Sequence, residues 1–263
     1  MCQARTWLEE EVRVTSNVVG TGEHIVFVLH GWFGSGGAWG NLIPHLDAER
    51  FTYVFPDYRG YGSRRDEPGE HTIAEAAADV LALADQRGAE RFSLVGHSMG
   101  GSVMQWVYAD APERVRALVG VSPVPASGVP FDDETWQLFS GAPGDSAKRR
   151  AIIDFTTGGR HPDAWLDGMV LHSEENSDRE AFAEYLEAWA HTDFSERVIG
   201  AEVPIKVFVG EHDPALGEQT MLATFAQWYP KLELEVLPDA GHYAADEVPV
   251  TLANAIEVFL DQH

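Results

Sequence analysis

Short apolar runs rich in β-branched and aromatic residues alternate along this chain with stretches whose apolar positions recur at helical spacing. Residues 11–14 alternate polar and apolar, the pattern of an edge strand. Residues 25–29 are apolar throughout, as suits a central strand buried on both faces, and further strands are expected at 51–55, 92–95, 115–121, 205–209 and 232–237. Helices are expected over 72–87, 98–110, 216–228 and 247–261, the first opening on Thr72 with Glu75 three residues later, a capping pattern. Such alternation spells an α/β fold, a mainly parallel sheet with helices on both faces.

Between Pro123 and about Arg197 the strand pattern stops, and short helical pieces rich in Trp, Phe and Asp take over, with loop signals at 140–145 and 157–162. The expected organisation is a core made of residues 1–123 and 198–263 and a helical cap inserted at 124–197. An insertion between the strands at 115–121 and 205–209 has to leave from the carboxyl edge of the sheet, above position 98. There it can exclude water and shape a pocket. Phe131, Trp136, Leu138, Phe139, Phe155, Trp165, Met169, Phe182, Tyr185, Trp189 and Phe194 are expected to line that pocket in part and mostly to pack on one another.

The candidate chemistry centres on Gly96-His97-Ser98-Met99-Gly100, which joins an apolar run to a helical stretch. A sharp strand-to-helix turn there strains Ser98 and exposes its hydroxyl at the strand's carboxyl end. Gly96, Gly100 and Gly101 remove the Cβ atoms that would collide where strand and helix cross. The Met99 N–H and the positive end of the helix dipole then face an oxygen beside the serine. A serine hydroxyl is a poor nucleophile at neutral pH and needs a base, and the base needs an orienting carboxylate. His242, on the loop after the last strand, and Asp213, on the loop after the strand at 205–209, fit those roles in the expected chain order. His97 is expected to point away from the pocket and His212 to be packed or solvated. Asp239 is too close in sequence to reach the far side of the His242 ring, and Asp246 also flanks it. In the loop 30–37 the glycines let the main chain approach a reacting carbonyl, and the Trp32 N–H, paired with that of Met99, would form an oxyanion hole, each donor worth about 3–4 kcal/mol.

Length and composition narrow the setting. With 263 residues, 44% hydrophobic, one core with an insertion is expected, and no run of eighteen apolar residues occurs. The segment 1–7 lacks a signal-peptide pattern, so a cytoplasmic protein is expected, and the single Cys2 agrees with a reducing compartment. Forty-two acidic against eighteen basic residues leave a charge of −24, which repels nucleic acid and anionic membrane. The expected partner is a small-molecule substrate, with the chain a monomer or homodimer. No metal spacing occurs among the eleven histidines, and the stretch 172–178 reads as a solvated loop rather than a metal site.

The motifs His30-Gly31-Trp32, Asp57-Tyr58-Arg59-Gly60-Tyr61-Gly62-Ser63, Gly96 to Gly101, Gly210 to Asp213 and Gly241-His242 together resemble the α/β-hydrolase family. They span almost the entire chain outside the cap. The resemblance implies an eight-stranded, mostly parallel sheet, a Ser98–Asp213–His242 triad, an oxyanion hole at Trp32 and Met99, and no metal or organic cofactor. It also makes 57–63 a structural turn whose arginine is not catalytic. Haloalkane dehalogenases and epoxide hydrolases share the fold but carry an aspartate nucleophile, against which Ser98 argues. The reaction expected is hydrolysis of a carboxylic ester, lactone or thioester of a small, largely apolar molecule through an acyl-enzyme. The alternatives are a carbon–carbon bond hydrolase, a cofactor-free haloperoxidase or perhydrolase, and a ligand-binding receptor with slow hydrolysis.

Overall fold

The computed structural model describes residues 16–263. The segment 11–14, read above as an edge strand, lies outside the described residues. The first element is a short strand, β1 (Ser16–Val19), followed by β2 (His24–Leu29) and β3 (Phe51–Pro56). Helix α1 (Ile73–Gln86) leads to β4 (Phe92–His97), α2 (Met99–Asp110) and β5 (Val115–Val121). Four helices follow before the next strand: α3 (Asp133–Gly141), α4 (Ser146–Thr156), α5 (Asp163–Asn176) and α6 (Arg179–His191). The chain then resumes with β6 (Ile205–Gly210), α7 (Glu218–Ala223), α8 (Phe225–Trp228), β7 (Leu232–Leu237), α9 (Ala244–Glu247) and α10 (Pro249–Leu260).

The described strands form one seven-stranded sheet in the order β1-β3-β2-β4-β5-β6-β7, antiparallel only where β1 meets β3. Both faces are covered, which explains the uninterrupted apolar runs. Phe27, Leu29, Leu94 and Leu118 pack with α1, α2 and the helical insertion, while Val26, Val28, Val95 and Val119 pack on the other face with Leu252, Ile256 and Phe259 of α10.

Chain direction across the sheet reverses between β2 and β4: β3 lies on one side of β2 and β4 on the other. The loops leaving the carboxyl ends of β2 and β4 therefore diverge and open a crevice, where a ligand site belongs in such sheets.

Three helix boundaries differ from the sequence reading. The second helix begins at Met99, with Ser98 as its flanking residue in a strained conformation. Residues 216–228 divide into α7 and α8 at Thr224, whose hydroxyl donates to the Thr220 carbonyl (2.6 Å), a back-bond that bends helices. Residues 247–261 divide at Val248, because the ring of Pro249 disfavours helical geometry in the residue before it. The cap on α1 is as read: Thr72 accepts from the Glu75 N–H at 3.1 Å, and the Glu75 carboxylate reaches back to the N–H groups of Glu70 and His71.

Candidate active site

Strand β4 delivers Ser98 into the crevice with φ 53° and ψ −119°, a left-handed conformation that costs a serine about 1–3 kcal/mol. The neighbours that enforce it are glycines. A Cβ on Gly96 would lie 2.4 Å from the Gly100 carbonyl oxygen, and one on Gly100 would lie 2.3 Å from that of Leu29. The turn is held by Ser98 N–H donating to Val121 O (3.1 Å) and by Ser98 O accepting from Gly101 and Val124 N–H (2.8 Å each). Its hydroxyl makes no capping bond to α2.

Asp213 follows β6 and is fully buried at its side chain. One carboxylate oxygen accepts from the N–H groups of Ala215 (2.9 Å) and Leu216 (3.1 Å), which leaves the other to accept from His242 Nδ1 at 2.7 Å. Burial, the largest influence, pushes this carboxyl up. The His242 ring and the two amides outweigh it and hold the group below the usual range. Asp239 is exposed, its N–H donates to Glu211 (3.3 Å), and the His242 Nδ1 bond goes to Asp213 instead. His212 is partly exposed, 3.8 Å from Glu211.

Because a carboxylate only accepts, His242 carries its proton on Nδ1 in the neutral ring, and its Nε2 lone pair is free to accept. Ser98 and His242 line the same cavity, which has two compartments. The larger, about 230 Å³, is bounded by the loop 30–41, by Met169 and His172 of α5, and by Tyr243 and Asp246. The smaller, about 60 Å³, is apolar and roofed by the helical insertion through Phe131, Phe139, Ile152 and Trp189, with Val124 and Leu216 below. Ser98, His242 and Trp32 border both. Among the described residues, neither lining contains an Arg or Lys, and Asp246 is the only carboxylate in either.

On the side of the loop 30–37, Gly31 approaches so closely that a Cβ there would be 3.0 Å from the Ser98 Cβ. Trp32 is fixed by a bond from its indole N–H to Phe182 O (2.7 Å), by stacking on the Phe182 ring (centroids 4.1 Å apart) and by the Tyr61 hydroxyl donating to its carbonyl (2.8 Å). Met99 is buried at the first position of α2.

Two sequence readings are corrected. His97 does not point away: its ring lies in the cavity wall, and its Nε2–H donates to the His242 carbonyl at 2.9 Å. Burial lowers its pKa to about 3. Residues 172–178 are not a solvated loop, since 172–176 form the last turns of α5 and His172 faces the cavity with its Nε2 3.3 Å from Ser35 Oγ. Of the aromatic residues singled out in the insertion, Phe131, Phe139 and Trp189 line the site while Phe155 is half-exposed. The turn at 57–63 is structural: Asp57 accepts from Gly36 and Ser63 N–H (2.7 and 2.9 Å), and Arg59 is paired with Asp79 (3.0 Å). Asn41, His172, Asp246 and Glu247 were not singled out as site residues by the sequence, which marks none of them with a spacing rule. Among the described residues no cluster of three or more His, Cys, Asp or Glu is arranged to hold a metal ion, and no helix is long and apolar enough to cross a membrane.

The family described as alpha/beta hydrolase fold matches residues 24–145, the stretch that carries β2 to β5 and the serine turn. The chain has the α/β-hydrolase fold. It is 24% identical to 3-oxoadipate enol-lactonase 2 of Acinetobacter baylyi over 230 residues, which cover 84% of this chain and 83% of that one. Pyrrolizixenacetamide deacetylase of Xenorhabdus hominickii is 37% identical over 110 residues, 41% of each chain. The chain thus spans under half the length of its curated relatives of higher identity. A bromoperoxidase from Bacillus anthracis has the same fold, with a TM-score of 0.83, 20% identity and 94% of both chains covered.

Proposed function

We propose that the protein is a serine hydrolase that cleaves a carboxylic ester, lactone or thioester of a small, largely apolar molecule. The observation that carries this reading is the convergence of the strained Ser98 and the Asp213-bound His242 on one cavity. His242 Nε2 takes the Ser98 proton as the hydroxyl oxygen attacks the substrate carbonyl, and the N–H groups of Trp32 and Met99 hold the resulting oxyanion. Collapse breaks the bond to the leaving group, which receives the proton from His242. Water, deprotonated by the same ring, then attacks the acyl-enzyme; the released acid takes its second oxygen from that water, and Ser98 regains its proton.

The two compartments divide the substrate at the scissile bond. The apolar chamber under α3, α4 and α6 takes the acyl chain, and these helices serve as the cap. The larger compartment takes the leaving group. With no Arg or Lys in the lining and a carboxylate at Asp246, neutral or cationic substrates are favoured over the acidic ones expected of a carbon–carbon bond hydrolase.

The test is steady-state turnover of p-nitrophenyl esters of increasing acyl length by wild type and Ser98→Ala. The reading requires multiple turnovers on short esters and their loss in the variant. Equal turnover by the two proteins refutes it, and a single slow event without turnover favours a receptor.

A further inference from the structure

The His242 main chain is held from every side by groups that take no part in the chemistry. Its N–H donates to Thr156 O at the end of α4 (3.1 Å), and its carbonyl accepts from the His97 ring. The amides on either side go to one carboxylate. Gly241 N–H donates to Glu247 Oε2 (2.9 Å) and Tyr243 N–H to Glu247 Oε1 (3.0 Å). The Glu247 side chain is 2% exposed, so its charge needs partners. The charge partner comes from the segment between α4 and α5: Arg160 Nη1 at 3.1 Å, with the His161 ring packed beside the carboxylate. Arg160 also donates to the Asp239 carbonyl (2.9 Å), and His161 stacks on Trp165, whose ring meets Tyr243 edge-on.

Glu247 restrains the peptide plane after His242 through Tyr243 N–H and the plane of residues 240–241 through Gly241 N–H, while Thr156 O holds the His242 N–H in the plane between them, and together these fix the direction of the His242 Cα–Cβ bond. For His242 this sets where Nε2 falls relative to Ser98. We propose that Glu247, charge-balanced by Arg160, is a positioning residue for His242 and ties the helical insertion over the cavity to the loop that carries the base. The inference rests on the serine-hydrolase reading for its effect on rate, while its structural half stands apart from that reading.

Glu247→Gln keeps the side-chain volume but replaces one acceptor oxygen with an NH₂ group that opposes Gly241 N–H and the Arg160 guanidinium. Arg160→Met removes the balancing charge from a partly exposed position and leaves the carboxylate in place. Turnover of p-nitrophenyl butyrate is measured per active site, counted by titration with a fluorophosphonate, and amide exchange is followed at Gly241, His242 and Tyr243. Misplacement of a catalytic group by about 1 Å can cost about 100-fold in rate, so a partial loosening is expected to lower kcat by about 10- to 100-fold. That loss per titrated site is expected for Glu247→Gln, with KM within about twofold of wild type, faster exchange at the three amides, and a smaller change in the same direction for Arg160→Met.

Wild-type kcat per titrated site in Glu247→Gln overturns the proposal. So does an activity loss explained wholly by fewer titratable sites. If Glu247→Gln does not fold, Arg160→Met decides: wild-type kcat and wild-type exchange together overturn the coupling. Failure of the serine-hydrolase reading is recognised separately, since it leaves wild type itself unlabelled at Ser98 while the exchange comparison still holds.

Discussion

A serine hydroxyl and a water molecule are nearly equal as nucleophiles until a neighbouring ring removes the proton, so the account turns on the His242 tautomer. Asp213 enforces it with one oxygen while its other oxygen is occupied by two amides. Asp213→Asn offers an NH₂ group or a weaker acceptor to Nδ1 and permits the wrong tautomer. A fall in kcat of about 10⁴-fold, with the fold retained by circular dichroism, is expected; a loss under tenfold contradicts the assignment. Other titratable groups near the site act on stability. Burial holds His30 at about 4 and His97 at about 3, against 6.5 in the unfolded chain. Both rings stay neutral in the fold, while the unfolded chain takes up protons below pH 6.5. Stability is therefore full above that pH and falls as pH drops toward 4, by up to about 1.4 kcal/mol per pH unit for each ring. Asp213 acts with the same sign in a lower window: its contribution is intact above about pH 4 and is lost below. Urea unfolding at pH 7 and pH 5 checks this, and equal stability at the two values contradicts it. Ser98, Asp213 and His242 could be singled out as candidates in the sequence because each lies on the segment that follows a recognisable strand. His172 and His97 were misread because which way a ring faces depends on packing against distant segments, Ser35 and the 242 carbonyl, that no local pattern encodes.

At the level of elements, the serine turn and the helical insertion make separate demands. The turn needs bare Cα atoms. Gly100→Ala drives a Cβ into the Leu29 carbonyl, a backbone atom that cannot swing away. It is expected to cost about 1–3 kcal/mol and to slow fluorophosphonate labelling of Ser98; wild-type stability and labelling together contradict the packing described. The insertion lines the smaller compartment, proposed above to take the acyl chain, where Phe139 of α3 forms part of the wall. Phe139→Leu is expected to move the preferred p-nitrophenyl ester toward longer acyl chains, and an unchanged chain-length profile means that the acyl group lies elsewhere. Most strands and α1 were legible because burial on one or two faces leaves a period in the sequence. Strand β1 escaped because Ser16-Asn17-Val18-Val19 is short and lies at an edge with its middle exposed. The break at Thr224 escaped because it depends on a side-chain hydroxyl turning back to its own helix.

Across the whole molecule, acidic residues are in excess, and among the described residues the cavity lining holds no Arg or Lys. The summed field attracts cations and repels anions over roughly a Debye length, about 8 Å at physiological salt. Among p-nitrophenyl esters matched in length, one bearing a trimethylammonium group is expected to exceed one bearing a carboxylate in kcat/KM by about tenfold or more at low salt, the gap narrowing as salt is added. An anionic preference contradicts the reading of the lining. The sheet's strand order was not readable from hydrophobic periodicity, since the reversal between β2 and β4 that opens the crevice is a matter of which strands pair.

The most direct test of the central claim is peptide mass spectrometry of the protein after treatment with a fluorophosphonate. The account predicts one phosphonyl group per chain, on Ser98, formed at a rate that falls sharply in His242→Ala. Modification at another residue, or a rate indifferent to His242, contradicts it.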